Sequence, residues 1–149
     1  MKFKKIEIAR QSNFILATLL LHFVFFGYLS NVYRKAIGDG ILFLYQVLFN
    51  PASFFSVILL IGIVFIMAIR ETFYEYGIKN SVWLVPFIMI ESWIWYLFIN
   101  GSFNILGTIG YYFTSIEAYI TIFVLIGINL STALIAVIIK ERYKIYKKV

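Results

Sequence analysis

The chain is expected to fold as an all-α integral membrane protein, a bundle of four spanning helices, and three observations lead to this prediction. Hydrophobic residues make up 62% of the 149 residues, whereas soluble domains average about 45–50%. Charged residues make up only 13% and lie mostly outside four long apolar runs. Each run approaches or exceeds the length of about 20 apolar residues that crosses the hydrocarbon core of a bilayer.

The predicted spans cover residues 14–33, 51–69, 81–99 and 117–139, and they form one transmembrane domain over residues 1–149. The first span follows a leader that carries Lys2, Lys4, Lys5 and Arg10. The apolar run from Phe14 is longer than the hydrophobic core of a signal peptide, and no A-x-A-like cleavage site follows it. We therefore expect the first span to remain uncleaved.

The connections between the spans carry turn and cap signals. Gly38 and Gly40 predict a turn, and the apolar residues 41–49 that follow are too few to span, so they predict a short interfacial or re-entrant helix. Asn50-Pro51 is a typical start for the second span. Residues 70–80 predict a charged loop, and residues 111–113 predict an interfacial aromatic anchor. Residues 114–117 match the capping-box pattern that begins a helix.

The distribution of Lys and Arg predicts the orientation. The N-terminus has 4, the loop after the second span has 2 and the C-terminus has 5, whereas the other two loops have 2 and 0. The positive-inside rule therefore predicts four crossings with both termini in the cytoplasm. The abundance of Ile, Phe, Tyr and Lys is typical of an A/T-rich bacterial genome, so the expected location is a bacterial plasma membrane.

Several function classes are excluded or disfavoured. The chain has no cysteine, so disulfides, thiolate zinc sites and thiol catalysis are excluded. The net charge of +6 comes from residues that flank apolar runs, which is not the pattern of a nucleic-acid-binding face. The chain contains no phosphate-binding loop, nucleophile elbow or zinc-protease motif. We expect no cofactor and no nucleic-acid partner.

Three polar residues lie near the middle of predicted spans: His22 in the first, Glu91 in the third and Asn129 in the fourth. Because a charged side chain at this depth costs at least about 2.5–3.5 kcal/mol, these side chains are expected to face one another, a partner or a water cavity. Thr18 and Trp95 lie one turn from His22 and Glu91, respectively, and complete the predicted polar cluster. Asn129 shares a small, polar helix face with Thr132, Ala133 and Ala136.

This cluster has two interpretations. It is either a structural clasp that sets the register of the helices or a buried site that binds a proton or a ligand. One His and one carboxylate are too few ligands to predict a metal site. General acid–base catalysis on a lipid is a weaker alternative, because the pair matches no catalytic motif.

Two functions are compatible with these residues. The first is a helical subunit or accessory of a larger membrane assembly, related to transport or to self-protection against a membrane-active agent. Small size, short loops and the lack of catalytic motifs favour it. The alternative is a self-contained oligomeric transporter or channel that uses Glu91 and His22. With either function, we expect the chain to contact the lipid bilayer and to bind another membrane protein or a second copy of itself.

Overall fold

The computed structural model describes residues 2–149, and over that range helices are the only regular secondary structure, with no strand. We number seven helices in chain order. They are α1 (Lys2–Val32, with a π-helical segment at Leu21–Phe26), α2 (Arg34–Asp39), α3 (Phe43–Phe49), α4 (Phe54–Arg70, after a 3₁₀ turn at Pro51–Ser53), α5 (Tyr74–Asn100), α6 (Ile105–Thr114) and α7 (Ile116–Lys148). The helices α1, α4, α5 and α7 are long and apolar enough to cross a membrane. The prediction of an all-α chain with four helices capable of crossing a membrane is therefore confirmed.

The spanning helices alternate in direction. At one end of the bundle, Arg70 Nε donates a hydrogen bond to Asn13 Oδ1 at 3.2 Å, and Lys140 Nζ donates to the carbonyl oxygen of Glu71. At the other end, Asn100 Nδ2 donates to the carbonyl oxygen of Gly38 at 2.9 Å. Helices α4, α5 and α7 pack against one another, and α1 packs against α4 and α5.

Three spanning helices are longer than the apolar runs that predicted them. Helix α1 begins at Lys2, α5 begins at Tyr74, and α7 continues to Lys148. The predicted loop over residues 70–80 shrinks to residues 71–73. The physical reason is that an existing helix extends at little cost, and Lys, Glu and Arg are good helix formers. The hydropathy of the sequence therefore predicts which residues lie in lipid, but it does not predict the residues at which a helix begins and ends.

The connection between α1 and α4 contains a short helix at the place where the sequence predicts one. Helix α3 buries Phe43, Leu44 and Val47 and packs against α4 and α7. Asn50 caps the next turn as predicted, because its Oδ1 accepts a hydrogen bond from the Ala52 amide at 3.0 Å.

The connection between α5 and α7 differs from the prediction in two ways. Helix α5 ends at Asn100 with Gly101 as its C-cap, whose φ of 74° suits glycine, and an unpredicted helix α6 follows with Asn104 as its N-cap. Thr114 belongs to the end of α6 and its hydroxyl donates to the Tyr111 carbonyl, so the capping-box prediction is wrong. In the predicted aromatic anchor, Tyr112 is buried at 2% exposure and packs edge-on against Trp93.

Candidate functional site

His22 lies in the irregular part of the first spanning helix. Residues Leu21–Phe26 form a π-helical segment, which has more residues per turn than the α-helix on either side of it. Segments of this kind change the direction in which a side chain projects, and they occur frequently at functional sites. The apolar sequence around His22 carries no Gly or Pro within the segment that would have predicted this irregularity.

The structure pairs His22 with Glu91 across α1 and α5. His22 Nδ1 and Glu91 Oε2 are 2.8 Å apart. Glu91 accepts this hydrogen bond when Nδ1 carries the proton, as it does in the protonated imidazole and in one of the two neutral tautomers. The His22 side chain is 38% exposed and that of Glu91 is 14% exposed. The pair therefore lies at the side of the bundle and is reachable from outside the protein.

Two aromatic rings hold the imidazole in place. The His22 and Trp95 rings are tilted by 38° with their centroids 5.3 Å apart, and Phe23 meets His22 edge-on at 4.9 Å. The Trp95 indole thus covers one side of the imidazole. Within residues 2–149, the buried Nε1–H of Trp95 finds no hydrogen-bond acceptor. An unpaired buried donor next to His22 adds a group that a ligand or water could satisfy.

Thr18 and Asn129 lie outside this pair. The Thr18 hydroxyl donates to the Phe14 carbonyl of its own helix at 3.0 Å. Asn129 is fully buried, and its Nδ2 donates to the Ser81 carbonyl at 3.0 Å. Ser81 precedes Glu91 by ten residues, which is about 15 Å along a helix. The single polar layer predicted from His22, Glu91 and Asn129 is therefore corrected to two separate contacts, because the packing register differs from the depth estimated along each apolar run.

The face of α7 that carries small residues is buried in a helix contact, as the sequence predicts. Thr132, Ala133 and Ala136 are buried, and both alanines pack against Ala68 of α4. Helix α5 also approaches Ala68 closely, since a Cβ at Gly77 would lie 3.3 Å from the Ala68 carbonyl oxygen. Small residues let these three helices come together.

A buried polar cluster around Glu71 was missed. Glu71 is only 3% exposed, and its Oε1 accepts a hydrogen bond from Asn80 Nδ2 at 3.0 Å. Burial raises the pKa of the Glu71 carboxyl above its ordinary value of 4.5, and hydrogen bonds from asparagines and the charges of Arg10 and Lys140 oppose that rise. The sequence presented Glu71 as a solvated loop residue, because the long-range partners that bury it were not apparent.

The His22–Glu91 pair offers few ligands for a metal ion. Among residues 2–149, no group of three or more His, Cys, Asp or Glu side chains comes together. His22 and Glu91 thus offer two protein ligands, whereas a typical zinc site uses three or four.

Comparison of the chain with protein-family models, curated proteins and solved structures found no match. Function is therefore argued from the geometry of the pair.

Proposed function

We propose that the protein is a helical subunit, or an accessory, of a larger membrane assembly, and that the His22–Glu91 pair lies at its contact surface. The exposure of this pair carries the proposal, because 38% of the His22 side chain is open to whatever surrounds the bundle. Lipid is a poor neighbour for polar groups near the middle of a span, and intramembrane ionisable residues generally face protein or water. A partner helix over the pair removes this exposure.

The residues around the pair suit a helix–helix contact. Leu19 and Phe23 of α1 are 49% and 70% exposed next to His22, and Ile94 and Phe98 of α5 are 37% and 72% exposed beyond Glu91. A polar pair within an apolar surface gives a partner both van der Waals contact and a specific hydrogen bond, which together drive helix association in lipid. The proposed settings are a transport system or protection of the cell against a membrane-active agent.

Site-specific photo-crosslinking tests this contact in the producing cell. A photoreactive amino acid at Phe23 is expected to capture a partner protein, because Phe23 packs on His22 at the proposed surface. The same amino acid at Phe123 of α7 is the matched control, since Phe123 is 74% exposed. A partner adduct at residue 23 alone supports the proposal. Equal adducts at both positions, or none at residue 23, contradict it.

The alternative is a self-contained oligomeric transporter or channel with a proton or ligand site at His22 and Glu91. It is favoured by the π-helical segment at His22 and by the Trp95 indole beside it, whose buried Nε1–H has no acceptor among residues 2–149. The mass of the adduct separates the two functions. A dimer of this chain favours the transporter, whereas an adduct with a different protein favours the subunit.

We further propose that both termini lie in the cytoplasm of a bacterium, with α3 at the opposite interface, because 11 of the 13 Lys and Arg residues lie at or near one end of the bundle. The natural chain has no cysteine, so single-cysteine variants report the topology directly. Glu75→Cys and Lys147→Cys are expected to react only after a membrane-impermeant maleimide gains access to the cytoplasm. Leu106→Cys, in the 86%-exposed position of α6, is expected to react in intact cells. The reverse labelling pattern contradicts this orientation.

A further inference from the structure

A groove separates α1 and α5 at the end of the bundle where both helices carry basic residues. Its volume is about 480 Å³. Arg10 and Lys79 stand at its polar end with Gln11 and Asn80. Its apolar part is lined by Phe14, Ile15, Trp83 and Phe87, and the Phe14 and Phe87 rings meet edge-on at 5.1 Å.

The polar end of the groove carries positive charge. None of the described residues that line the groove is acidic, and Arg10 and Lys79 bring two positive charges to it. The buried Glu71 carboxyl lies behind Asn80, which donates a hydrogen bond to it, and close enough for the charge of Arg10 to act on it. The Arg10 guanidinium lies 5.0 Å from the centroid of the Tyr76 ring, which holds it in position. Glu7 and Glu75 line an adjacent depression that also reaches Arg10. Lys79 is exposed and lines the groove but not that depression.

The apolar part of the groove continues toward the middle of the bundle. Phe87 lies one helical turn before Glu91, so the groove descends along α5 from Lys79 toward the centre of the span. Trp83 is 58% exposed between these levels, and a tryptophan with one polar edge is typical of the depth where headgroups meet acyl chains. The basic polar end of the groove is complementary to an anionic headgroup, and its apolar part is complementary to a hydrocarbon chain.

We propose that this groove binds one anionic phospholipid, with its headgroup phosphate at Arg10 and Lys79 and an acyl chain along Phe14, Ile15 and Phe87. Arginine and lysine bind phosphate oxygens through charge-assisted hydrogen bonds. The proposal goes beyond the assembly role and does not require it. If the termini are cytoplasmic, the groove opens to the leaflet that is rich in anionic lipid.

The test measures lipid-dependent stabilisation of the full-length protein in dodecyl maltoside. The melting temperature, followed by tryptophan fluorescence, is recorded against added dioleoyl phosphatidylglycerol and against dioleoyl phosphatidylcholine. Phosphatidylglycerol is expected to raise it more at equal concentration. The double variant R10Q/K79Q is expected to need about tenfold or more phosphatidylglycerol for half of the effect, because each basic residue contributes to the attraction of anionic lipid.

The control variant K147Q/K148Q removes the same charge from the exposed end of α7 and is expected to behave like the natural protein. Ile15→Trp keeps both charges and fills the apolar part of the groove. It is therefore also expected to weaken the stabilisation by phosphatidylglycerol. This variant tests the proposal if R10Q/K79Q does not fold. The proposal is overturned if the groove variants respond like the control or if phosphatidylcholine stabilises equally. It is also overturned if inorganic phosphate alone reproduces the effect, which would indicate a free-anion site.

Discussion

Glu91→Ala is expected to lower the free energy of unfolding by about 1–3 kcal/mol, because it leaves the partly buried imidazole of His22 without its acceptor. Glu91→Gln is expected to change it little, since an amide oxygen still accepts the hydrogen bond from Nδ1. Unfolding in mixed dodecyl sulfate micelles, followed by circular dichroism, measures both variants. His22→Ala in the Glu91→Ala background is expected to cost less than in the natural protein, because the pair is already broken.

The same variants separate a structural pair from a proton site. If the pair serves assembly, Glu91→Gln keeps the partner adduct at residue 23 and the cellular phenotype. A normally folded but inactive Glu91→Gln would rule out the purely structural role, because glutamine forms the hydrogen bond but cannot exchange a proton. Full activity in Glu91→Gln would eliminate the protonation mechanism of the alternative function.

Ala133→Leu is expected to destabilise the bundle by about 1–3 kcal/mol, and by more if the helices cannot separate. Ala133 is fully buried and packs against Ala68, in the region where small residues of α4, α5 and α7 come together. Three added carbon atoms have no space there, so the side chain must leave its preferred rotamer or push α7 away from α4. Thermal unfolding in detergent measures the loss.

Ser131→Leu is the matched control for this prediction, because it also introduces leucine two residues away on α7 but at an exposed position. It is expected to leave the melting temperature nearly unchanged. Equal destabilisation by both variants would show that leucine disturbs α7 itself rather than the contact with α4.

The amino-acid sequence by itself determined the number and approximate place of the spanning helices. It also identified the Asn50 cap, the small face of α7 and the two residues of the His22–Glu91 pair. These features depend on local properties: the length and polarity of a segment, the periodicity of small residues and the chemistry of a helix end. A polar residue in an apolar run indicates a polar contact because lipid cannot satisfy it.

Only the tertiary structure decided which polar groups form hydrogen bonds with one another and which side chains stay exposed. It paired Asn129 with the Ser81 carbonyl rather than with Glu91, buried Glu71 against side chains of α1, α5 and α7 and exposed 38% of the His22 side chain at the side of the bundle. It also revealed helix α6 and the π-helical segment at His22. Hydropathy reports the solvent around a segment, whereas the rotation and axial register of a helix are set by neighbours distant in the sequence.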